Sequence, residues 1–154
     1  MNFHLHLESE QVQHIPADDA LTVGADAPLR DVMQHLKQNG KGSVLILEGE
    51  KLAGIFTERD ALRLMAKNAD WDAPVSSAMT KDPVSISLDT NVRTAINKMS
   101  DGGYRRLPVV DENGSPQRFL KVSHILHYLV EHFPQLVYNL PPAPHESFKN
   151  REGA

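Results

Sequence analysis

No cysteine occurs among the 154 residues, which excludes disulfide bonds, thiol catalysis and thiolate metal sites together and fits a cytosolic protein. Long apolar runs are missing too: nothing approaches the roughly 20 consecutive apolar residues that a membrane-spanning helix needs. The opening Met1-Asn2-Phe3-His4-Leu5-His6 has neither a basic stretch nor an apolar core, so no secretory signal is expected. Basic charge is in deficit, with 16 Lys and Arg against 20 Asp and Glu for a net charge of −4. Apart from Arg105-Arg106 the cations are scattered, which argues against the basic face that non-specific nucleic-acid binding requires. Catalytic signatures are absent as well. There is no G-x-x-x-x-G-K-[ST] loop, no H-E-x-x-H, and no nucleophile elbow around the adjacent Ser123-His124. His4-x-His6 and His124-x-x-His127 lack a third ligand at a metal-binding spacing, so they read as surface histidines. No catalytic residue, metal site or required cofactor is expected.

What is present is ordinary apolar content, 40%, laid out twice in the same order. After a polar opening through residue 20, a short strand is expected at Leu21–Val23. Pro28 stands near the first turn of a helix whose Leu29, Val32, Met33 and Leu36 fall at i, i+3, i+4 and i+7, and Asn39-Gly40 closes it. Ser43–Leu47 reads as a buried strand, Glu48–Lys51 as a turn carrying Gly49, and Leu52–Phe56 as the returning strand. A helix over Glu58–Lys67 follows, expected to bury Ala61, Leu62 and Met65, and Asn68–Pro74 is a polar connector holding Trp71. The order then recurs. A strand at Val84–Ser87 precedes a helix capped by Asp89 or Thr90, with Val92, Ala95, Ile96 and Met99 on one face and Gly102-Gly103 at its end. Strands at Arg106–Val110 and Gln117–Val122 flank a turn at Asp111–Ser115, and a helix over Ser123–His132 is expected to bury Ile125, Leu126, Leu129 and Val130.

The two runs superpose. Val23 and Ile86, Leu29 and Val92, Met33 and Ile96, and Leu36 and Met99 are each 63 residues apart, and one extra residue in the second turn makes the offset 64 between Leu62 and Leu126. Two copies of a β-α-β-β-α unit are too few, and the period too long, for a solenoid. The expected fold is α+β: two such motifs packed sheet to sheet about a pseudo-twofold axis.

Between the strand and helix of the first copy lies Gly54-Ile55-Phe56-Thr57-Glu58-Arg59-Asp60. Thr57 stands at an N-cap position with Asp60 three residues on, beside backbone N–H groups that lack intrahelical partners. One reading is a capping box, each side chain accepting from the other's backbone N–H. The other is a ligand clamp, with hydroxyl and carboxylate turned to the hydroxyls of a sugar. Both are compatible with the residues, since capping leaves lone pairs to spare.

This stretch, together with Ala78-Met79-Thr80, Pro83 and Arg106-Leu107-Pro108-Val109-Val110-Asp111-Glu112-Asn113-Gly114, resembles a tandem cystathionine-β-synthase (CBS) domain pair, or Bateman module. The resemblance covers roughly Val12–His132. It implies motif 1 at 12–68, a linker at 69–77 and motif 2 at 78–132, between an N-terminal segment 1–11 and a Pro-rich tail 133–154. In the family, the G-h-h-[ST]-x-x-D junction binds the ribose of an adenosine nucleotide, which would assign ribose binding to Thr57 and Asp60. An apolar base slot would be lined by Ala20, Leu21, Val23, Val44 and Ile55. The second junction departs from the pattern, with Arg118, Lys121 and His124 at the Gly, Ser/Thr and Asp positions. Lysine only donates, and a neutral histidine offers one acceptor, so that junction is not expected to hold a ribose diol. Its charge is inverted instead. Arg59, Arg105, Arg106, Lys121 and His124 are the candidates for binding phosphate, and solvated surface charge is the other reading of the second junction. The resemblance further implies an adenosine-sensing regulatory module (AMP, ADP or ATP, or S-adenosylmethionine or NAD), a homodimer, an effector protein partner, and neither a nucleic-acid nor a membrane partner. The alternative is a dimerisation or scaffold module with a vestigial site. Leu136, Val137, Tyr138 and Leu140, ahead of Pro141-Pro142-Ala143-Pro144, are apolar enough to cover their own domain or a second subunit.

Overall fold

Two helix-covered sheets, each of four strands, form the architecture described for residues 7–133 of this computed structural model. The Pro-rich tail and the His4-x-His6 pair lie outside the described residues. The strands are β1 (Asp18–Asp19), β2 (Thr22–Gly24), β3 (Ser43–Glu48), β4 (Lys51–Thr57), β5 (Thr80–Lys81), β6 (Ile86–Ser87), β7 (Arg106–Val110) and β8 (Pro116–Lys121). The α-helices are α1 (Leu29–Asn39), α2 (Glu58–Ala66), α3 (Val92–Gly102) and α4 (Val122–His132). α1 and α3 both stop at a glycine in the left-handed conformation, Gly40 at φ 60° and Gly103 at φ 70°, where a side chain would be strained.

The internal repeat is visible in the register. Val23 pairs with Ile46 in parallel and Ile86 pairs with Val109 in parallel. Ser43 pairs with Thr57, and Arg106 with Lys121, in the two antiparallel hairpins. Alternation along β3 then divides its side chains. Val44 and Ile46 join Leu29, Val32, Leu36, Phe56 and Ala61 in the core beneath α1 and α2. Ser43 and Leu45 take the opposite face, towards the other half, and Leu45 is fully buried there. The second core gathers Val92, Ala95, Met99, Leu107, Val109, Leu120 and Ile125 in the same way.

The halves exchange their leading strands. The first sheet runs β2-β3-β4-β5, closed by the opening strand of the second motif, and the other runs β1-β8-β7-β6, closed by the opening strand of the first. Val12 and Ile15 accordingly sit in the second half's core, although the opening residues read as polar and weakly patterned. Backbone bonds tie this segment to the start of α3, Val92 N–H donating to Glu10 C=O at 2.8 Å. The connector before β5 does the same for α1, Leu29 N–H donating to Ala73 C=O at 2.9 Å. Isolated bridges at Gln11–Asn91 and Pro28–Pro74 mark the equivalent crossings. The hairpins also meet across the halves, Leu52 N–H donating to Gly114 C=O at 3.0 Å.

Three details differ from expectation. The cap of α3 is Asn91, whose Oδ1 accepts from Thr94 N–H at 2.8 Å, while Asp89 and Thr90 instead bond the Ser87 hydroxyl. β1 carries no apolar pattern and takes its place by pairing with β8. Leu62, Met65, Leu126 and Val130, expected to be buried, are exposed on α2 and α4. The apolar stripe on each helix is wider than one sheet can cover, so its outer edge faces away from the core.

Candidate functional site

β4 delivers the first junction. Thr57, at φ −121° and ψ 167°, ends the strand in extended geometry and serves as N-cap of α2. The capping box is formed: Thr57 Oγ1 accepts from Asp60 N–H at 3.3 Å, and Asp60 Oδ2 accepts from Thr57 N–H at 2.9 Å and from the Thr57 hydroxyl at 3.1 Å. The other carboxylate oxygen, Oδ1, lies 4.0 Å from the Arg63 guanidinium, at the range limit of an ion pair. The cap therefore engages one oxygen of Asp60 and leaves Oδ1 with acceptor capacity. Gly54 is required by what lies beside it. A Cβ there would fall on the Met79 thioether and within 2.9 Å of the Thr80 carbonyl oxygen, because β5 packs on β4 at this point.

The second junction has the same backbone and different chemistry. Lys121 occupies the N-cap of α4, and His124 Nδ1 accepts from Lys121 N–H at 3.0 Å. Its other ring nitrogen is 3.7 Å from Asp18 Oδ1. Burial, followed by Lys121, His127 and Lys41 nearby, lowers the His124 pKa against an opposing pull from Asp18. Lys121 Nζ reaches Asp18 Oδ2 at 2.9 Å, and Lys41 Nζ stands 3.9 Å from the same oxygen. The hydrogen bond from Lys121 is the main cause that holds the Asp18 carboxyl below its ordinary value. Arg118 donates to the carbonyls of Gln13 at 2.9 Å and Ile15 at 3.3 Å, anchoring the N-terminal segment. The charges of this junction are thus engaged within the chain and not merely solvated.

Between the halves lies a cavity of about 180 Å³, to which the first half contributes Lys41 and Ser43 and the second Arg106, Phe119 and Lys121. Asp18 and Asp19 of β1 and Leu21 complete that side of its wall. Arg106 donates to the Ser43 hydroxyl at 3.2 Å, and its guanidinium carbon lies 5.8 Å from the centre of the Phe119 ring. Cross-strand partners share a face, so Thr57, paired with Ser43, lies on the sheet face that carries this cavity. Glu58 N–H donating to Gly42 C=O at 3.0 Å joins the start of α2 to the cavity rim.

The phosphate candidates separate accordingly. Arg106 and Lys121 line the cavity, whereas the exposed Arg59 and Arg105 do not. His124 borders an adjoining cavity with Pro16, Ala17 and Tyr128. Of the base-slot candidates, Leu21 lines the cavity and Ile55 lies on its face of the sheet. Val44 and Val23 turn to the helix-covered core instead, as the alternation of their strands dictates, and Ala20 is half-buried just before β2. Asp18, Lys41 and Ser43 were not singled out from the sequence. Ser43 was within reach, because it precedes Arg106 by the repeat offset of 63. Asp18 was not, since its role depends on β1 crossing to the other sheet.

A family model for the CBS domain matches residues 12–67 and again 75–131. An uncharacterised 17.7 kDa protein of Acidianus ambivalens is 28% identical over 122 residues, covering 79% of this chain and 74% of that protein. A CBS domain-containing protein of Arabidopsis thaliana is 32% identical over 122 residues, 78% of this chain but only 20% of that longer protein. Among solved structures, a CBS domain protein from Pyrobaculum aerophilum complexed with AMP has a TM-score of 0.67 at 22% identity, covering 79% of this chain and 98% of that one. A CBS domain pair in complex with 5′-methylthioadenosine and S-adenosyl-L-methionine has a TM-score of 0.66 at 21% identity, covering 77% and 98%.

Proposed function

This chain belongs to the CBS domain family as a tandem pair, and on that footing we propose that it is a regulatory module that binds an adenosine-containing ligand in the cleft between its halves. The observation that carries this reading is the sharing of one sheet face by Thr57, which is bonded to Asp60, and a cavity lined by cations from both halves. Oδ1 of Asp60 accepts from a ribose hydroxyl, while the capping oxygen keeps the helix start in place. Arg106 receives phosphate, with Lys121 farther along the same wall, and Leu21 and Ile55 contact the base. That solved CBS structures hold AMP, S-adenosyl-L-methionine or 5′-methylthioadenosine supports the ligand class.

Such a ligand touches α2 of the first half and β7 of the second at once. It favours whichever relative orientation of the halves brings Asp60 and Arg106 to its two ends, by its difference in affinity between orientations. The occupancy then passes to an effector protein, and the ligand is read without being converted. Isothermal titration with adenosine, AMP, ADP, ATP, S-adenosylmethionine and NAD tests this, alongside Asp60→Asn. Asparagine keeps an acceptor for Thr57 N–H but removes the charge and the second carboxylate oxygen. Binding of one such ligand by the native chain and its loss in Asp60→Asn are expected. No binding by any of them leaves the scaffold reading.

One observation favours association in either case. Leu62 is 67% exposed and Leu126 56% exposed, with Met65 and Val130 beside them on the same helices. We take these faces of α2 and α4 as the surface of a homodimer.

A further inference from the structure

Three cations line the interdomain cavity, yet two of them are already answered. The Asp18 carboxylate bridges Lys121 at 2.9 Å and Lys41 at 3.9 Å, and so joins a cation of one half to a cation of the other. Arg106 differs: among the described residues it has no carboxylate within ion-pair distance, and its guanidinium is held by the Ser43 hydroxyl and the Phe119 ring. Asp19, next along β1, also borders the cavity. The pairing of β1 with β8 sets Asp18 opposite Phe119, on the face that carries the cavity, and Asp19 opposite Arg118, on the alternate face. Among the described residues, the cation of this wall left without a carboxylate partner to meet an incoming anion is therefore Arg106.

Resting on the reading of the cleft as an adenosine-ligand site, we propose that Asp18 is its specificity determinant and restricts it to ligands with at most one phosphate. A single phosphate pairs with Arg106. A second or third, extending along the cavity towards Lys121 and Lys41, meets a carboxylate that already occupies the seat between those lysines. Like charges brought that close repel in a partly enclosed site, and exchanging the Asp18 pairs for phosphate pairs gains little, because the lysines are paired before and after. By register the first half holds Thr80, opposite Ile55, at the position of Asp18, and Lys81, opposite Gly54, at the position of Asp19. The charge on the exchanged strand is thus opposite in the two halves: acid where the junction is basic, base where the junction carries Asp60.

The test is isothermal titration of the full chain with adenosine, AMP, ADP and ATP at fixed ionic strength, for the native protein, Asp18→Asn and Lys121→Gln. Native protein should bind AMP at least tenfold more tightly than ATP. Asp18→Asn, which keeps the size of the side chain and frees both lysines, should narrow that ratio at least fivefold by raising ATP affinity, with adenosine affinity unchanged. Lys121→Gln should widen it, since Asp18 then loses its closest counter-charge. Equal or tighter binding of ATP by the native chain, or a ratio that does not move in Asp18→Asn, overturns the inference and leaves the adenosine site standing. Failure of all four ligands to bind native protein overturns both. Circular dichroism and the thermal midpoint of each variant establish that it is folded, and should Asp18→Asn unfold, Asp18→Ser is held to the same ratio.

Discussion

The guanidinium of Arg106 donates to the hydroxyl of Ser43 at 3.2 Å, and these two residues occupy the same position in the two copies of the repeat, 63 residues apart. Contact between equivalent residues places them beside the pseudo-twofold axis. Their cross-strand neighbours, Thr57 and Lys121, are equivalent too, so both junctions open onto one shared cleft. A ligand seated there spans both halves.

Arg106 is expected to govern phosphate, and Ser43 only its placement. Arg106→Ala should weaken AMP at least tenfold while leaving adenosine nearly unchanged. Ser43→Ala should lower stability by about 0.5–1.5 kcal/mol, the net value of one hydrogen bond, with AMP weakened less than threefold. Titration calorimetry and chemical denaturation measure the two effects. Equal weakening of adenosine and AMP by Arg106→Ala would remove Arg106 from the phosphate role.

At the first junction, capping and binding are separable. Thr57→Ala and Asp60→Ala each break the capping box and should destabilise by about 1 kcal/mol. Asp60→Asn should stay within about 0.5 kcal/mol of native stability and still lose the ligand. Urea denaturation curves for the three variants, with and without AMP, decide between these roles.

Gly54→Ala should destabilise by about 1–3 kcal/mol through overpacking. The flexible Met79 side chain can move aside, but the Thr80 carbonyl belongs to the β4–β5 ladder and cannot. Met79→Ala in the same background should therefore recover only part of the loss. Full recovery would show that the ladder itself tolerates a Cβ.

The exposed helix faces predict a concentration-dependent dimer. Leu62→Glu combined with Leu126→Glu should yield a monomer by light scattering after size exclusion, with little change in the far-ultraviolet spectrum, because both positions are exposed. A dimer that survives the double substitution uses another surface.

Lowering the pH should destabilise the protein through His124. Its pKa in the folded state is lowered from 6.5, chiefly by burial, and its Nδ1 already accepts from Lys121 N–H. Below 6.5 the unfolded chain binds a proton that the folded chain does not, so the contribution is complete above that pH and declines as pH falls towards the lowered value. Asp18 acts in another window: its contribution is present above 3.8 and is lost as pH falls below that, through its own lowered pKa. Thermal midpoints between pH 7.5 and 5 should fall more steeply for native protein than for His124→Gln. Parallel slopes would remove His124 from this dependence.

Residue pattern by itself determined the doubled β-α-β-β-α unit, since helix faces at i, i+3, i+4 and i+7, glycine stops and alternating strands are local consequences of backbone geometry. It also determined that the junctions differ in chemistry, because Thr57 and Asp60 against Lys121 and His124 is a matter of side-chain type at one offset. Only the tertiary structure decided what those junctions meet. The two-residue strand β1 has no apolar alternation and lies in the second sheet because β8 offers it an edge; with it Asp18 reaches Lys121, a partner 103 residues away along the chain (18 to 121). Which of the apolar residues near the junction turn to the cleft was likewise settled by register, Ile55 outward and Val44 into the helix-covered core. The exposed edge of α2 and α4 was illegible for a related reason. Periodicity marks a face as apolar, but how much of it is covered depends on the width of the sheet packed against it.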